Sequence, residues 1–450
     1  MTTKSKVFIV HCVDTEGPLY ESIEETFARI HSIFGVNIEC TRENLIKLQS
    51  GRIDLNGIED KVKNLVSRKR ISTNETWDDI DKMLDNILSN DFRNSFLDSY
   101  GNGWVYSWFC LDHVGFSGLN PRRRDSTHHS VFDFYKRRLC ETSKDTIQWH
   151  YHPIPVNGNF HSSGITYLNS SNLWEIISRK IIDRFWFPSV YRPGFHAERP
   201  DSNWFLEQWI PFDFGNQSTL THNTSNAQPD LVDGRWGDWR RAPKFWRPYN
   251  PSHDDYQVEG SCRRYIFRCL NMEARLREIS HKDFYQGFEE AKINGKSCIA
   301  FTNHDFRDMT SDILKMQNMI EKVSKDFPDV DFVFTDALTA AQEMVNSDLE
   351  APNLDIEFNN LGNNSVKLIV KCQGKIFGPQ PYLAIKTKDG KYLWENFDFL
   401  KDNVWTYIFD EFNSNIDLVE KVGIAANSPS GISEVRVFEI VNSELIFEIS

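Results

Sequence analysis

Acidic and histidine side chains follow several short apolar segments of this sequence. Asp14 and Glu16 come directly after Val7–Val13, and His150 and His152 close the segment Thr146–His152. In an extended chain, residues two apart point to the same face, so each pair can converge on one point. Two imidazoles at that spacing, with Cα atoms about 6.6 Å apart, can reach one metal ion. Each pair also has a structural alternative, because an acid can cap a turn and histidines can bond to loops.

Three further apolar segments end in residues that could take part in catalysis. The guanidinium of Arg192, in Tyr191–His196, can hold a carboxylate through two parallel hydrogen bonds. His304 closes the segment around Phe301 and can act as a general acid or base near neutral pH. His113 follows the apolar segment that contains Trp108 and Phe109, and is predicted to be a further ligand or a substrate contact. The alternative is that His113 has a purely structural role. Together, these segment ends predict a metal hydrolase site on one rim of a barrel.

The elements that must position these residues follow the pattern of an α/β domain. Short apolar runs alternate with helix-period runs such as Ser130–Leu139 and Asp312–Asp326, which is typical of a parallel sheet. Their spread over about 345 residues predicts a closed or nearly closed barrel, with a helical insertion at about 20–100. The predicted strands are Val7–Val13, Trp104–Phe109, Thr146–His152, Phe185–Val190, Phe212–Phe214, Ser297–Phe301 and Asp331–Thr335. In such sheets, functional sites lie at the carboxyl ends of the strands.

The sequence changes character near residue 350. Residues 351–450 contain only short strand-like runs, seven in all, separated by turns such as Lys388-Asp389-Gly390. Strands at that spacing predict a β-sandwich. We therefore expect two domains, a barrel over 1–350 and an accessory sandwich over 351–450.

Composition excludes several classes of protein. The chain has 450 residues, 13% of them aromatic, so disorder over most of its length is excluded. Its net charge of −13 argues against nucleic acid as a partner. Without an apolar stretch of about 20 residues or a signal peptide, it is expected to be cytoplasmic and to have no membrane span. The eight scattered cysteines contain no CxxC pair, so neither a disulfide framework nor a cysteine zinc site is indicated.

The motifs taken together resemble those of the polysaccharide deacetylase (NodB-homology) family of metal-dependent carbohydrate esterases. The resemblance covers roughly residues 5–345 and is closest to the WbmS-like branch of surface-polysaccharide biosynthesis enzymes. Five segments are similar to the family's five motifs, in chain order: Asp14–Glu16, His150–His152, Tyr191–Phe195, Phe212–Phe214 and Phe301–His304. The sequence departs from the family in having His-x-His for His-x-x-x-His, and Glu16 where an aspartate is usual.

The resemblance implies a distorted (β/α) barrel and a role for each motif residue. A divalent metal ion would be held by Glu16, His150 and His152, and zinc is the ion that we expect. Asp14 would be the catalytic base, His304 the general acid, and Arg192 would orient Asp14 or an adjacent acid. The implied activity is hydrolytic removal of an N-acetyl or N-formyl group from an amino sugar of a surface polysaccharide, such as lipopolysaccharide or capsule, or of its precursor.

Aromatic residues predict a carbohydrate substrate. Trp236, Trp239 and Trp246 lie among four arginines within residues 235–249. Aromatic faces stack on sugar rings and arginines bind acidic groups, so a sugar nucleotide or an acidic glycan would suit this segment. The predicted substrate contacts are His113, Tyr191, Trp236 and Trp239, with packing against the barrel as the alternative for each tryptophan.

Two other functions remain open from the sequence, as does assembly into a homo-oligomer. One is another amide hydrolase on the same barrel, acting on a cyclic imide, a formamide or a ureide in a small closed pocket. The other is a non-catalytic glycan-binding protein in which the sandwich is the binding module.

Overall fold

The computed structural model describes residues 4–112, 121–123, 126–139, 144–153, 155, 163–164, 166–168, 170–220, 237–273, 277–442 and 445–449. His113 and Trp236, two of the predicted substrate contacts, lie outside the described residues.

Eight parallel strands form the first sheet, and seven of them close into a barrel. Strand β1 pairs with β7 along one edge, while its other edge is divided between two strands. Residues 5–9 of β1 pair with β8, and residues 11–15 pair with β2. The strands are β1 Ser5–Thr15, β2 Tyr106–Leu111, β3 Thr146–Tyr151, β4 Val190–Pro193, β5 Phe212–Asn216, β6 Tyr265–Asn271, β7 Lys296–His304 and β8 Val330–Phe334. The predicted (β/α) barrel is confirmed at this level.

Helices surround the barrel, and the longest connection between strands is also helical. Between β1 and β2 lie α1 Ile23–Phe34, α2 Arg42–Gln49, α3 Glu59–Leu65, α4 Arg68–Ile71, α5 Trp77–Ile87 and α6 Asn90–Arg93. The later helices are α7 Ser130–Arg138, α8 Ser171–Arg184, α9 Pro200–Trp209, α10 His281–Asn294, α11 Thr310–Ser324 and α12 Ala337–Val345. Helices α1 to α3 share a small core of their own, whereas α5 packs its apolar face on the barrel.

The fourth strand lies further along the chain than the sequence predicts. The prediction of a strand over Phe185–Val190 is wrong, because Phe185 adopts a left-handed conformation (φ 52°) and ends α8. Its backbone N–H donates to the carbonyl groups of the last turn, so the chain becomes extended only at Val190. Strand β6 was not predicted at all, because polar residues such as Arg268 interrupt its apolar pattern.

Residues 354–449 form the all-β part, as predicted, in two antiparallel sheets. The first sheet has the order β13-β14-β10-β9 and the second β12-β11-β15-β16-β17. The strands are β9 Leu354–Gly362, β10 Ser365–Cys372, β11 Tyr382–Thr387, β12 Tyr392–Glu395, β13 Asp398–Lys401, β14 Val404–Phe409, β15 Val419–Asn427, β16 Ser433–Asn442 and β17 Leu445–Ile449. One apolar core containing Leu368, Ile385, Trp405 and Ile424 lies between the two sheets. The two strands beyond the predicted seven, β12 and β13, have only four residues each; β13 is exposed and β12 is mostly half-buried.

The all-β part packs directly against the barrel layer. Ile181 and Ile182 of α8 share an apolar cluster with Tyr382 and Ala425 of the second sheet. Gly423 lies at the closest approach, where an added Cβ would stand 2.6 Å from Ile181 Cγ2. Among the described residues, no helix combines the length and apolar character that crossing a membrane requires.

Candidate metal centre

Alternation along each barrel strand decides which side chains enter the barrel. In β1, Phe8, Val10 and Cys12 belong to the apolar cluster inside the barrel, which we call the inner cluster. Val7, Ile9 and Val13 instead pack under the helices outside it. Asp14 and Glu16 continue the inner series at the carboxyl end of the strand. A parallel sheet brings the corresponding ends of the other strands to the same rim.

The same alternation places the other motif residues. In β3, Trp149 and Tyr151 pack outside the barrel, so His150 and His152 face the inside of the barrel. In β7, Cys298 and Ala300 lie in the inner cluster, and His304 follows in the same phase. Backbone pairing sets His150 beside Arg192 and Asp14 beside His304.

Glu16, His150 and His152 form a compact group that could hold a metal ion. One oxygen or ring nitrogen from each residue lies within 4.8 Å of the others. The two Nε2 atoms are 2.9 Å apart, and Glu16 Oε1 lies 3.3 Å from His152 Nε2 and 4.0 Å from His150 Nε2. Ligand atoms about 2.1 Å from a common tetrahedral centre lie about 3.4 Å apart, so this spacing fits a single ion.

The hydrogen bonding of His150 also fits a metal ligand. Its Nδ1 lies 3.0 Å from the carbonyl oxygen of Arg192, to which it must donate its proton. That assignment leaves Nε2 with a free lone pair directed at the group. Burial lowers the pKa of His150 to about 4, against the opposing effect of Asp14, so the ring is neutral as a ligand requires. A set of two imidazoles and one carboxylate suits zinc and similar divalent transition metals.

Asp14 lies beside this group in a buried ion pair with Arg192. Arg192 Nε donates to Oδ1 at 2.6 Å and Nη2 donates to Oδ2 at 3.0 Å, while Nη1 donates to the Phe214 carbonyl oxygen at 2.5 Å. Burial alone would raise the pKa of Asp14, but Arg192 and then His150 lower it well below its ordinary value. Asp14 is therefore ionised and fixed in orientation.

Two residues that the sequence did not single out hold Glu16 in place. Arg123 forms an ion pair with Glu16 Oε2 and donates to the Gly17 carbonyl oxygen at 2.8 Å. Asp305 accepts hydrogen bonds from the backbone N–H groups of Glu16 and Gly17, at 2.8 and 3.0 Å. Arg123 leaves Oε1 of Glu16 directed at the histidines. Neither contact has a local sequence signal, since both span more than 100 residues.

Gly194 allows His152 its position. A Cβ at residue 194 would lie 2.3 Å from Cδ2 of the His152 ring and 2.8 Å from the His152 Cα. Any larger residue would therefore displace this imidazole, which explains the glycine after Pro193.

His304 lies at the open side of the centre. Its Nε2 is 3.7 Å from Glu16 Oε1, and its side chain is 31% exposed, compared with 9% for Glu16 and 2% for His150. The increase in exposure from His150 to His304 shows the direction from which a ligand can approach.

Tyr191 and Trp239, two of the predicted substrate contacts, are buried in packing positions. Tyr191 precedes Arg192 by one residue and so faces outward, where its buried hydroxyl lies 2.8 Å from that of Tyr167. Trp239 is 1% exposed and donates its indole N–H to the His196 carbonyl oxygen at 2.7 Å. Trp246, from the same segment, is also buried, in the main core.

The structure thus has a parallel barrel with helices and a Glu-His-His group, able to hold a metal ion, at its carboxyl rim. No protein-family model matches the chain, and no curated protein matches it. A solved structure that aligns with it is the chitinase ChiW of Paenibacillus sp. str. FPU-7, a bacterial cell-surface-expressed multi-modular enzyme, at 10% identity and a TM-score of 0.25. The alignment covers 98% of this chain and 54% of the chitinase, so the chain spans about half of that protein's length. A likeness at that score carries no argument about fold or activity.

Proposed function

We propose that the protein is a metal-dependent hydrolase that removes an N-acyl group, acetyl or formyl, from an amino sugar of a surface polysaccharide or of its precursor. The observation that carries this proposal is the Glu16-His150-His152 group flanked by ionised Asp14 and by accessible His304. The motif resemblance to polysaccharide deacetylases supports the choice of an amino sugar, and zinc is the proposed ion.

The chain's own residues divide the reaction between them. Asp14 accepts the proton of the attacking water, since each of its oxygens retains a lone-pair site beside the bond to Arg192. Arg192 fixes the orientation of Asp14. His304 donates a proton to the leaving nitrogen as the C–N bond breaks, which yields a free amine and a carboxylate.

The ion held by Glu16, His150 and His152 would supply Lewis-acid chemistry, which polarises an acyl oxygen and makes water more acidic. Arg123 and Asp305 maintain the carboxylate geometry that this ion requires, since they fix the side chain and the backbone of Glu16.

Metal content is the first test. Purified protein should contain about one divalent transition metal ion per chain by mass spectrometry. The double variant His150→Ala/His152→Ala should lose it. The control His31→Ala/His253→Ala removes two exposed histidines that do not belong to the Glu-His-His group and should retain the metal.

Activity assays then separate the proposed reaction from its alternatives. The metal-loaded protein should release acetate or formate from N-acylated amino sugars. Turnover of cyclic imides without turnover of acylated sugars would assign the centre to a different amide hydrolase. Failure to bind metal, including after reconstitution, would contradict the proposal.

A further inference from the structure

A cavity of about 380 Å³ adjoins the metal centre on the side of the helical insertion. Residues 64–74 of the insertion line one wall, residues 303–312 line the other, and His304 lies at the boundary with the metal centre. Small-molecule sites commonly enclose about 300–1,000 Å³. Hydroxyl and carboxamide groups form much of the lining, including those of Ser72, Thr73 and Asn74, which suits a polar ligand such as a sugar.

Two arginines that contact each other, Arg70 and Arg307, line this cavity. Arg307 donates from Nε and Nη2 to the backbone carbonyl oxygen of Arg70, at 3.2 and 3.1 Å. Arg70 donates from Nε to Asn64 Oδ1 at 3.0 Å. Within the described part of the chain, neither guanidinium forms an ion pair with a carboxylate, so their remaining N–H groups are available to a ligand.

Two more arginines, Arg29 and Arg122, lie near enough to Arg307 to repel its charge. Arg29 and Arg122 share one carboxylate, Glu21, which Arg29 contacts at 2.6 and 3.0 Å and Arg122 at 3.8 Å. Burial lowers the pKa of Arg307 to about 10, and repulsion from Arg70, Arg29 and Arg122 contributes further. The surroundings of Arg307 therefore contain more arginines than carboxylates.

Two of the three acidic residues that line the cavity form ion pairs with lysines. Asp312 Oδ1 lies 3.4 Å from Lys69 Nζ, and Glu273 forms ion pairs with both Lys69 and Lys315. Asp308 is exposed, and its side chain accepts the Thr310 amide hydrogen bond at 2.9 Å. Glu273 and Asp312 attract Arg70 at a distance, as does Glu278, but none of the three forms an ion pair with it in the described part of the chain.

We infer that Arg70 and Arg307 bind a phosphate group of the substrate, which is accordingly an N-acylated amino sugar carrying a phosphate or a diphosphate. This inference rests on the proposed function and specifies its substrate. Two adjacent guanidiniums can share a phosphate group because it presents several anionic oxygens, whereas the two oxygens of a carboxylate are satisfied by one guanidinium. The sugar would extend from this pair toward His304, which brings its acyl group to the metal centre.

The test measures binding separately from turnover. Inorganic pyrophosphate is titrated calorimetrically into the metal-loaded protein, the Arg70→Gln variant and an Arg68→Gln control. Arg68 is an exposed arginine of the same short helix, so the control makes the same charge change outside the cavity. Removing one charge-assisted contact should weaken binding about tenfold or more in Arg70→Gln, and less than twofold in Arg68→Gln. The His150→Ala/His152→Ala variant should still bind pyrophosphate.

Turnover is then compared for N-acetylglucosamine, its 1-phosphate and its uridine diphosphate conjugate. A preference for the 1-phosphate or for the conjugate, reduced in Arg70→Gln, distinguishes a sugar phosphate from a sugar nucleotide. Equal turnover of all three, or pyrophosphate binding insensitive to Arg70→Gln, would overturn the phosphate site while leaving the proposed hydrolase intact. Pyrophosphate binding that depends on Arg70, with no amide hydrolysis of any sugar, would instead refute the hydrolase.

Discussion

Asp14 and Arg192 are 1% and 0% exposed as side chains, so each depends on the other to balance a buried charge. Side chains alternate between the two faces of β1 and β4, which places both residues inside the barrel. Their two parallel hydrogen bonds fix their relative orientation. At the scale of single residues, this pair is the part of the centre most sensitive to substitution.

Asp14→Asn should abolish turnover while leaving the metal content nearly unchanged, because Asp14 is not in the Glu-His-His group. Loss of a general base typically costs about 10²–10⁴ in rate. The unpaired guanidinium of Arg192 should also lower the free energy of unfolding by about 3 kcal/mol. Metal analysis, activity and urea unfolding of the variant check these outcomes, and loss of metal together with activity would contradict the assignment of Asp14.

His11 gives a pH dependence that is independent of the metal centre. Trp104 Nε1 donates to His11 Nδ1 at 3.0 Å, so Nε2 carries the proton and donates to Asn303 Oδ1 at 2.9 Å. Burial lowers the pKa of His11 to about 4, partly offset by the bond to Asn303. Below about pH 6.5 the unfolded chain binds a proton that the folded chain excludes, so stability falls until the pH reaches about 4.

Between pH 7.5 and pH 5, this histidine should reduce the free energy of unfolding by about 2 kcal/mol. The His11→Gln variant should be less stable at pH 7.5 but should lack this portion of the pH dependence. Urea unfolding of metal-free protein at both pH values measures the difference, and parallel pH profiles for the two proteins would disprove the neutral, buried state of His11.

At the scale of elements, the connections decide whether the strand ends form a site. Glu16 is oriented from the loop after β7 and from the 3₁₀ turn Pro121–Arg123, and His152 depends on the turn after β4. Several different loops therefore fix the side chains that the strands bring to the carboxyl rim.

Gly194→Ala should displace the His152 ring, because the new Cβ would overlap it at 2.3 Å. We expect the metal affinity to fall about tenfold or more, as for losses of support around metal ligands. Gly35→Ala is the matched control, since a Cβ there meets nothing within 4 Å and the residue merely ends α1 with φ 68°. Competition with a chromophoric chelator measures both affinities, and equal values would show that Gly194 does not set the position of His152.

The sequence predicted the strand ends that carry the centre but not all the residues around it. Val7–Val13 and Thr146–His152 are apolar enough to be identified as buried strands, and the polar residues at their ends identify one rim. Strand β6 escaped detection because Arg268 is neutralised by Asp283 at 2.6 Å, a contact that only the fold reveals. Tyr191, a predicted substrate contact, is buried outside the barrel because a one-residue difference in phase separates it from Arg192.

At the scale of the whole molecule, the barrel and the all-β part share buried surface. Besides the apolar cluster around Ile181, Asn427 donates to the carbonyl oxygens of Pro188 and Trp209 at 2.7 and 2.8 Å. Buried polar bonds of this kind fix the two parts in one relative position.

Gly423→Val should push β15 away from α8, because even a Cβ there would lie 2.6 Å from Ile181 Cγ2. Overpacking of this kind costs about 1–3 kcal/mol. We expect wild-type protein to show one calorimetric transition, and the variant to show a lower transition temperature or two transitions. Two transitions already in the wild type, or an unaffected variant, would show that the contact does not couple the two parts.

The divided edge of β1 has a consequence for synthesis on the ribosome. The strand is translated well before its partners β7 and β8, which begin only at Lys296 and Val330. Contacts between such distant residues form slowly, because a long loop must close before they are gained. Until then a strongly apolar strand has unsatisfied edges, which favour aggregation. We therefore expect the nascent chain to depend on chaperones until β8 has been translated, and the yield of folded protein to respond more to changes in β1 than to changes in any later strand.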